Sequence, residues 1–438
     1  MKVLKFGGTS VGSAQRMKEV ANLIVDGQKK IVVLSAMSGT TNTLVEISDY
    51  LYKRNPEAAN ETINKLAEKY DGVVEALYET AESKAEVRAF LQERFDFLRT
   101  FTGNLFTLFE EKIVLAQGEL LSTNMFTFML KERKVQVALL PAVEFMRVDK
   151  NGEPNQEYIR ENLGKLLAQH SDTELFITQG FICLNAYGEV DNLKRGGSDY
   201  TASLIGAAVK ASEIQIWTDI DGMHNNDPRV VDKTSPVSHL HFEEAAELAY
   251  FGAKILHPTC ILPAKLGNIP VRLLNTMQPD AFGTMISNKT EKGKLKAVAA
   301  KENITAIKIQ SGRMLLAYGF LRKVFEIFET YQTPIDMIAT SEVGVSLTID
   351  NNKHLQEIID ELKKFGTVSV DTDMVIVCVV GDLDSENVGF EAQVLNALNG
   401  IPIRMISYGG SNYNISLLVK DADKKRSMQA LSDHLFNA

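Results

Sequence analysis

The sequence has little of what disulfide-bonded, zinc-binding or membrane-spanning proteins need. Its three cysteines, Cys183, Cys260 and Cys378, lie far apart and form no CxxC pair. They indicate neither a zinc site nor a disulfide framework, so we expect three buried thiols. No apolar run approaches the ~20 residues of a membrane span. The opening Met1–Leu4 leads directly into a motif and leaves no room for a signal peptide, so we expect a cytoplasmic protein.

Basic residues are also in the minority. The chain has 47 Lys and Arg against 56 Asp and Glu, which gives a net charge of −9. This balance argues against a nucleic-acid partner, although it leaves room for a local basic pocket. The length of 438 residues predicts about two to four domains with proper cores.

Up to about residue 288, short β-branched runs alternate with stretches of helical spacing. The predicted strands are Val3–Phe6, Ile31–Ser35, Val135–Pro141, Leu175–Cys183, Glu213–Asp219 and Ile269–Leu274. The predicted helices are Ala14–Asp26, Leu120–Arg133, Tyr158–His170, Tyr200–Ala211 and Glu243–Gly252. Nearly continuous apolar strands are typical of a parallel sheet that is buried on both faces. The pattern predicts a doubly wound α/β domain over residues 1–290.

One stretch interrupts this alternation. Residues 56–99 are polar, rich in Glu and Lys, and contain no convincing strand. We interpret them as a helical insertion with a solvated, charged face.

After Gly293 the units become shorter and a weak repeat occurs. The sequence Pro334–Ile338 is echoed by Pro402–Ile406, and each copy follows a helix and precedes a second strand. Two ferredoxin-like βαββαβ units explain the pattern, and the shared element order disfavours a chance match of five residues. The second copy is one strand short, and a strand at Leu295–Ala299 would complete it. We therefore predict one domain at 304–370 and another at 295–300 plus 372–438.

The stretch KFGGTSVGS, from Lys5 to Ser13, has glycines spaced like those of a Walker A loop. Ser13 and Ala14 stand where that motif requires Lys followed by Ser or Thr. The lysine instead precedes the glycines. In isolation, the motif could be a lysine at the edge of a first strand.

Four further segments join this one: SAMSGTTN (35–42), GELLST (118–123), KRGGSD (194–199) and TDIDGMHNNDPR (218–229). Loops at the carboxyl ends of strands can converge on one crevice in an open α/β sheet. With KFGGTSV and FGAKILHP, this set resembles the amino acid kinase family, and most closely its aspartate kinases. The tail is similar to their paired ACT domains, so the resemblance spans essentially the whole chain.

The resemblance implies a three-layer α/β sandwich with a helical insertion, followed by two ACT domains. It implies transfer of the ATP γ-phosphoryl group to the side-chain carboxylate of L-aspartate, giving 4-phospho-L-aspartate, the first step of aspartate-family amino-acid biosynthesis. It also implies a monofunctional enzyme that is feedback regulated and forms a homodimer or a dimer of dimers. A related kinase for glutamate, acetylglutamate or UMP is the first alternative, which the ACT pair disfavours. A non-catalytic amino-acid sensor is the second.

By the same resemblance, Lys5, Asp199 and Lys254 are the catalytic residues. Lys5 would place a cation on the γ-phosphoryl group, Asp199 would orient Lys5, and Lys254 would stabilise the leaving group. Glycine amides and the positive end of the helix that begins near Ser13 would contact phosphate. The implied nucleotide contacts are Lys5, Gly7, Gly8, Thr9, Thr218, Asp219, Arg229 and Lys254.

The implied contacts with L-aspartate are Ser35, Thr41, Glu119, Phe181, Arg195, Gly196, Gly197, Ser198 and Asp199. Arg195 would grip a carboxylate and Glu119 would attract the α-ammonium. Alternatives exist, since Ser198 and Asp199 suit helix N-caps and Glu119 suits the first turn of a helix. No general base is required, because the aspartate side chain, with a free pKa of ~3.9, is already ionised at neutral pH.

Two residues depart from the family pattern in this region. His224 stands where a tyrosine is usual near the adenine, and Lys194 where glycine is usual. His239 and His241 would share one face of a strand, yet no third ligand follows, and Glu243 and Glu244 suit the acidic first turn of the next helix. We therefore predict no metal site built from protein residues. Magnesium should arrive with ATP, held mainly by phosphate oxygens and water.

In lysine-inhibited aspartate kinases a pocket in the ACT pair binds the effector. The matching positions here are Met314, Gly319, Phe320, Leu321, Asp336, Thr340, Ser341 and Glu342. Asp336 and Glu342 suit a cationic group, which favours lysine. Ala317 stands where serine is usual, so threonine remains open. The alternative is a purely structural dimerisation module.

Overall fold

A computed structural model describes residues 1–193, 196–252, 257–312, 318–384 and 388–436. The strands are β1 Lys2–Phe6, β2 Lys30–Leu34, β3 Val137–Leu140, β4 Leu175–Gln179, β5 Ile182–Leu184, β6 Val190–Asn192, β7 Glu213–Thr218, β8 His239–His241, β9 Val271–Asn275, β10 Thr284–Ser287, β11 Leu295–Gln310, β12 Ile338–Thr340, β13 Gly344–Ile349, β14 Thr367–Gly381, β15 Met405–Tyr408 and β16 Asn414–Lys420.

The helices are α1 Ala14–Ile24, α2 Thr40–Tyr52, α3 Pro56–Leu77, α4 Ala81–Thr100, α5 Leu108–Glu132, α6 Ala142–Phe145, α7 Gln156–Gln169, α8 Gly197–Ala208, α9 Phe242–Tyr250, α10 Pro258–Leu266, α11 Phe320–Thr330, α12 Leu355–Leu362, α13 Phe390–Ala397 and α14 Lys424–Leu435. The chain divides into two compact units. Unit 1 comprises Met1–Gly222 and Leu256–Asn288, and unit 2 comprises Met223–Ile255 and Lys289–Ala438.

Strand β1 lies at the centre of the sheet of unit 1. The strands of this unit follow the order β3-β4-β2-β1-β7-β9-β10. All of these neighbours are parallel except β10, which runs antiparallel to β9. The predicted doubly wound α/β sheet is therefore confirmed. Because the connection after β1 runs to β2 on one side and the chain after β7 runs to β9 on the other side, the carboxyl ends of β1 and β7 form a topological switch point.

Several predicted boundaries in unit 1 were wrong. The predicted strand Leu175–Cys183 is broken into β4 and β5, because Phe181 adopts a φ of 68° and turns the chain. Strands β6 and β10 were not predicted. Helix α5 begins at Leu108, well before the predicted Leu120. GELLST therefore lies inside a helix and not in a loop at a strand end.

The insertion at 56–99 is helical, as predicted, and consists mainly of α3 and α4. Its buried side chains, such as Tyr70 and Phe95, belong to the same hydrophobic cluster as Phe6 and Leu34 of the sheet. Its outer face carries exposed ion pairs, such as the one between Lys65 and Glu61. The insertion therefore extends the core of unit 1 while its charges face solvent.

Helix α5 is long and apolar enough to cross a membrane by length and composition. However, 72% of its most apolar window is buried inside the protein. Its buried face also carries polar residues, including Gln117, Glu119 and Ser122. This distribution is that of a central core helix.

Unit 2 is built on one antiparallel sheet in the order β12-β13-β11-β14-β16-β15. The central strands β11 and β14 pair over almost their whole lengths, with register irregularities between Lys301 and Ala306. We call β12, β13, the later part of β11 and the earlier part of β14 the first half of this sheet. The second half comprises the earlier part of β11, the later part of β14, β15 and β16.

Each half has its own hydrophobic core. Helices α11 and α12 contribute to the first core, and α13 and α14 to the second. Val298 of β11 belongs to the second core, whereas Ile307 of the same strand belongs to the first. A strand near Leu295 thus supplies the fourth position of the second half, as strand counting suggested. The exact domain limits remain predictions.

Helix α9 packs against β11 and β14. His241 caps the helix, because its side chain accepts a hydrogen bond from the Glu243 amide, and Glu244 bonds back to the His241 amide at 2.7 Å. Glu243 and Glu244 therefore form the acidic first turn that was predicted. His241 also stacks on Tyr413, with ring centroids 5.1 Å apart.

Candidate active site

Four strands of unit 1 end side by side, and each is followed by a segment that the sequence singled out. KFGGTSVGS follows β1, SAMSGTTN follows β2, Gly180 and Phe181 follow β4, and Thr218 ends β7. The order of the sheet thus brings these segments to one edge. GELLST reaches the same edge from helix α5.

Lys5 and Asp199 form an ion pair at this edge. Lys5 lies on β1 and Asp199 lies in the first turn of α8, and Lys5 Nζ is 2.7 Å from Asp199 Oδ1. Their side chains are only 12% and 16% exposed. A pair this sheltered from water interacts more strongly than a surface pair. Asp199 therefore holds the Lys5 ammonium at this edge by charge attraction.

The glycines after β1 allow close packing. A Cβ on Gly8 would lie 2.9 Å from the carbonyl oxygen of Ala36, and a Cβ on Gly7 would lie 3.4 Å from Lys5 Nζ. The Gly7 amide already donates to the carbonyl of Trp217 at 3.3 Å. In the described part of the chain, the amides of Gly8 and Thr9 make no hydrogen bond. Of the predicted phosphate contacts Gly7, Gly8 and Thr9, the amides of Gly8 and Thr9 are thus the ones without a hydrogen-bond acceptor in the described ranges.

Helix α1 begins immediately after this loop, as predicted. Ser13 is its N-cap, and the Ser13 side chain accepts a hydrogen bond from the Arg16 amide at 3.3 Å. The loop is further anchored by Ser10, whose hydroxyl lies 2.7 Å from that of Thr276 in the buried interior.

Helix α8 begins earlier than predicted. Its N-cap is Gly196, which has a φ of 77°, and the helix runs from Gly197. Ser198 and Asp199 therefore lie inside the first turn, so the alternative that they act as N-caps is wrong. The Cys260 thiol donates to the Gly196 carbonyl at 3.4 Å. A Cβ on Gly180 would collide with Ser198, so the β4 loop rests directly on this helix end.

Glu119 is a buried carboxylate near the middle of α5, so the alternative of a first-turn acid is also wrong. It is 5% exposed, and its Oε1 accepts a hydrogen bond from the Ala36 amide at 3.2 Å. Its Oε2 is buried, and no group in the described ranges donates to it. Burial raises the pKa of Glu119 to about 7, although the Ala36 amide and the charge of Lys5 act in the opposite direction.

The remaining predicted aspartate contacts surround this group. Ser35 is half-buried, and its carbonyl accepts a hydrogen bond from Ser122 of α5 at 2.7 Å. Thr41 is exposed at the start of α2. The Phe181 amide donates to the Thr201 hydroxyl at 3.0 Å, and the Phe181 side chain lies against Gly197. Arg195 lies outside the described residues.

Two residues of the insertion support the site and were missed from the sequence. Lys69 donates to the carbonyl of Ser38 at 2.7 Å, and the Tyr70 hydroxyl lies 3.0 Å from that of Thr40. Both contacts hold SAMSGTTN against α3. The helical spacing of the insertion gives no sign of them, because they join residues about thirty positions apart.

The predicted nucleotide residues fall in both units. Thr218 and Asp219 lie at the end of β7 in unit 1, and Asp219 is exposed. Arg229 belongs to unit 2, where its guanidinium binds both carboxylate oxygens of Asp227. His224 Nδ1, also in unit 2, lies 2.8 Å from the Thr234 hydroxyl. Lys194 and Lys254 lie outside the described residues, so their predicted roles remain predictions.

The predicted effector residues lie in the first half of unit 2. Gly319 is the N-cap of α11 with a φ of 80°, Phe320 is buried in the core of this half and Leu321 is partly exposed. Thr340, Ser341 and Glu342 are exposed at the end of β12 and in the turn that follows. The Asp336 side chain is 1% exposed. Met314 and Ala317 lie outside the described residues.

No group of three or more His, Cys, Asp or Glu side chains within the described ranges could hold a metal ion. The edge instead offers an ammonium, the backbone amides of Gly8 and Thr9 in the loop before helix α1, and a buried carboxylate with one open oxygen. Amides and an ammonium suit a polyphosphate, and a buried carboxylate suits an ammonium group. The arrangement can therefore place a polyphosphate beside an amino acid.

Comparisons with known proteins agree with this chemistry. A model of the amino acid kinase family matches residues 1–275, and a model of the ACT domain matches residues 377–435. The lysine-sensitive aspartokinase 3 of Escherichia coli is 35% identical over 99% of both chains. The Arabidopsis thaliana chloroplastic aspartokinase 3 is also 35% identical, over 99% of this chain and 81% of that protein.

A solved structure extends the likeness to three dimensions. The chain resembles E. coli aspartokinase III in complex with aspartate and ADP (R-state), with a TM-score of 0.85 and 34% identity over 100% of both chains. The expected α/β sandwich followed by ACT domains is thereby confirmed. The chain belongs to the amino acid kinase family and, within it, to the aspartokinases.

Proposed function

We propose that this aspartokinase transfers the γ-phosphoryl group of ATP to the side-chain carboxylate of L-aspartate, giving 4-phospho-L-aspartate and ADP. The observation that carries the proposal is the sheltered Lys5–Asp199 pair, which lies at the carboxyl edge of the sheet. Phosphoryl transfer needs positioned cations more than it needs proton transfer. An ammonium that is held in place by a carboxylate meets that need.

In the reaction, a carboxylate oxygen of L-aspartate attacks the γ-phosphorus of ATP. The bond between that phosphorus and the β,γ-bridging oxygen breaks, and ADP leaves with the electron pair. No proton moves, because the attacking carboxylate is already ionised at neutral pH. Lys5 offsets the repulsion between the two anions, and the amides of Gly8 and Thr9 bind phosphate oxygens.

Glu119 is suited to the α-ammonium of L-aspartate. Its open Oε2 is buried, so an ammonium that reached it would form a charge-assisted hydrogen bond in a poorly screened environment. Arg195 would hold a carboxylate of the substrate, as the family resemblance implies. Thr41, Ser35, Phe181 and the start of α8 would complete the pocket.

Thr218, Asp219, Arg229 and Lys254 would contact the nucleotide, as the family resemblance implies. Magnesium, when bound, neutralises phosphate charge, and we expect it to be held by phosphate oxygens and water. The two carboxylates at the edge already have protein partners, since Asp199 is paired with Lys5 and Glu119 accepts a hydrogen bond from the Ala36 amide. We therefore expect phosphate and water, and not these carboxylates, to hold the magnesium.

The test is release of ADP by the full-length protein with ATP, magnesium and each candidate acceptor. We expect ADP release that depends on L-aspartate and is not supported by D-aspartate, L-glutamate, acetylglutamate or UMP. Activity with one of the other acceptors and none with L-aspartate would indicate a different kinase of the family. No ADP release with any acceptor would indicate an amino-acid sensor.

We also propose feedback inhibition by an amino acid that binds the first half of unit 2, with lysine favoured over threonine. The E. coli relative is named as lysine-sensitive, and its structure has also been solved in complex with lysine and aspartate (T-state). In this chain, Asp336 Oδ2 is buried, and no described group donates to it. Glu342 lies close to Asp336 in the sequence and is exposed. Both carboxylates suit an ammonium.

Calorimetric titration with lysine and with threonine tests the effector. We expect lysine to bind more tightly, and we expect Glu342→Ala to weaken its binding. Unchanged affinity in that variant would remove Glu342 from the pocket. Tighter binding of threonine would reverse the assignment.

The assembly we propose is a homodimer or a dimer of dimers that forms through the ACT region. Large apolar side chains are exposed on the first half, namely Tyr318, Leu321, Phe325 and Val343. Exposed apolar groups of this kind often mark an interface between proteins. Sedimentation analysis with and without lysine would report the state. A cytoplasmic location also remains a prediction.

A further inference from the structure

The chain between β2 and α2 contacts both parts of the proposed site. We call residues 35–40 the β2 loop. On one side, the Ser38 amide donates to the carbonyl of Gly8 in the glycine loop after β1, at 3.2 Å. On the other side, the Ala36 amide donates to Glu119 Oε1 of α5, also at 3.2 Å. A displacement of the β2 loop would therefore change the surroundings of Glu119.

The β2 loop packs closely on α5 where that helix carries Glu119. A Cβ on Gly118, the preceding residue, would lie 2.8 Å from the Cβ of Ala36. It would also lie 3.7 Å from the methyl group of Thr40. Since these distances leave no room for a larger side chain, α5 and the β2 loop are in direct contact. The position of Thr40 is thus tied to the turn of α5 that holds the carboxylate.

The β2 loop ends in a helix start that has no side-chain cap of its own. Helix α2 begins at Thr40, and its N-cap is Gly39, which has a φ of 79°. Ser, Thr, Asp or Asn commonly caps such an end through its side chain. Here the contacts come from α3, because Lys69 donates to the Ser38 carbonyl at 2.7 Å and the Tyr70 hydroxyl lies 3.0 Å from that of Thr40. Two side chains of the insertion therefore hold this helix start.

Tyr70 is the polar member of an apolar stripe. The other buried residues of α3 are Ala59, Ile63, Leu66, Val74 and Leu77. Tyr70 is fully buried, and its ring packs edge-on against Phe95, with the ring centroids 5.9 Å apart. A phenylalanine would supply the same packing, so packing alone does not account for the hydroxyl. Burial raises the pKa of Tyr70, and the charge of Glu119 also raises it, so the hydroxyl keeps its proton at neutral pH.

We propose that Tyr70 is a positioning residue for the recognition of L-aspartate, and that the helical insertion thereby supports the acceptor site. The proposal rests on the proposed function, because it takes Glu119 and Thr41 as contacts of L-aspartate. The bond between Tyr70 and Thr40 holds the first turn of α2, which carries Thr41. The same bond keeps the β2 loop against α5 beside Glu119. An intact bond therefore lowers the KM for L-aspartate.

Tyr70→Phe tests the proposal, since it removes the hydroxyl and keeps the ring. We expect the KM for L-aspartate to rise about fivefold, as for the loss of one hydrogen bond, with kcat nearly unchanged. The KM for ATP should stay close to that of the wild type, because Lys69 still holds Ser38 beside Gly8. Steady-state ADP release by the full-length protein measures all three constants.

Thr40→Val tests the same bond from the loop side, because it removes the other hydroxyl and keeps a branched side chain of similar size. We expect a similar rise in the KM for L-aspartate. The double variant Tyr70→Phe with Thr40→Val should show no further rise, because both substitutions break one interaction. Effects that multiply in the double variant would show that the two hydroxyls act separately and would overturn the proposal.

Tyr78→Phe is the matched control. Tyr78 is buried at the end of α3, and its hydroxyl donates to the Met125 carbonyl at 2.6 Å. Tyr78→Phe and Tyr70→Phe each remove one buried, hydrogen-bonded hydroxyl, so urea denaturation should show similar losses of stability. Only Tyr70→Phe should raise the KM for L-aspartate. Such a result would separate positioning of the β2 loop from general loosening of the insertion.

A wild-type KM for L-aspartate in a folded Tyr70→Phe variant would overturn the proposal. Equal rises in Tyr70→Phe and Tyr78→Phe would also overturn it, because the hydroxyl of Tyr70 would then have only a structural role. Equal rises of the KM for both substrates would do the same. Failure of the proposed function is distinguishable, since the wild type itself would then show no aspartate-dependent ADP release.

Discussion

Each unit of the molecule holds a lysine–aspartate pair that starts from a central strand. In unit 1, Lys5 of β1 is 2.7 Å from Asp199. In unit 2, Lys301 of β11 is 2.6 Å from Asp336. The surroundings differ, because Gly7, which has no side chain, lies beside the Lys5 ammonium, whereas the Tyr250 ring covers Lys301. We propose that the first pair meets a ligand, whereas the second joins elements of the fold.

The largest expected effect follows from removing the open ammonium. Lys5→Met should lower kcat about a thousandfold, because it removes a fixed cation from the developing phosphoryl charge. Steady-state ADP release measures the loss, with Lys2→Met at the start of the same strand as the control. A variant that kept a tenth of the activity or more would show that this pair is structural, like the one in unit 2.

The next effect concerns the carboxylate beside the first pair. Glu119→Gln should reduce kcat/KM for L-aspartate about a hundredfold at pH 8, because an amide cannot attract the α-ammonium as a carboxylate does. The kcat/KM for ATP should change much less. Equal losses for both substrates would point to a distorted site.

The pH dependence sharpens this prediction. The pKa of Glu119 is raised to about 7, so the group is ionised above that pH and protonated below it. Since kcat/KM reports the free enzyme, that of the wild type for L-aspartate should fall as the pH decreases from 8 to 6. The profile of Glu119→Gln should lack this fall. A similar fall in the variant would assign the titration to another group.

A smaller effect is expected in unit 2, on stability. Asp336→Asn leaves Lys301 with Asp350 as its remaining anion, so we expect a loss of about 2 kcal/mol in the free energy of unfolding. Urea denaturation of the full-length protein measures it. No loss would mean that the ion pair only balances the cost of its own burial.

The smallest effect is expected at Arg404 of the second half, which matches Asp336 in the sequence repeat. Asp371→Asn breaks an exposed pair with Arg404, and such pairs contribute roughly 0–1 kcal/mol. Urea denaturation should therefore barely separate this variant from the wild type. A loss as large as that of Asp336→Asn would remove the distinction between the two halves.

Local patterns predicted the parts of the fold that depend on neighbouring residues. The apolar runs at Val3–Phe6 and Ile31–Ser35 gave the central strands to within one or two residues. The repeat of Pro334–Ile338 at Pro402–Ile406 identified the two segments that lead into strands β12 and β15. Both signals reflect side chains that alternate between faces or pack within one supersecondary unit.

The features that the sequence did not reveal depend on long-range contacts. Phe181 takes a left-handed conformation where the β4 loop meets helix α8, and no preceding residue signals it. Glu119 lies in mid-helix, so its burial depends on how α5 packs against the loop after β2. The hydrogen bond between Tyr250 and Asp336 joins residues 86 positions apart, and composition cannot indicate such pairing.

Because β11 and β14 each serve both cores, the regulatory region cannot be divided at any one peptide bond. A cut near residue 372 would leave the whole of β11 on the first fragment. Ile307 would stay with its own half, but the second half would lose the β11 segment that carries Val298. Each product would expose an unpaired strand edge and would be prone to aggregate. The two halves should therefore unfold in a single cooperative transition.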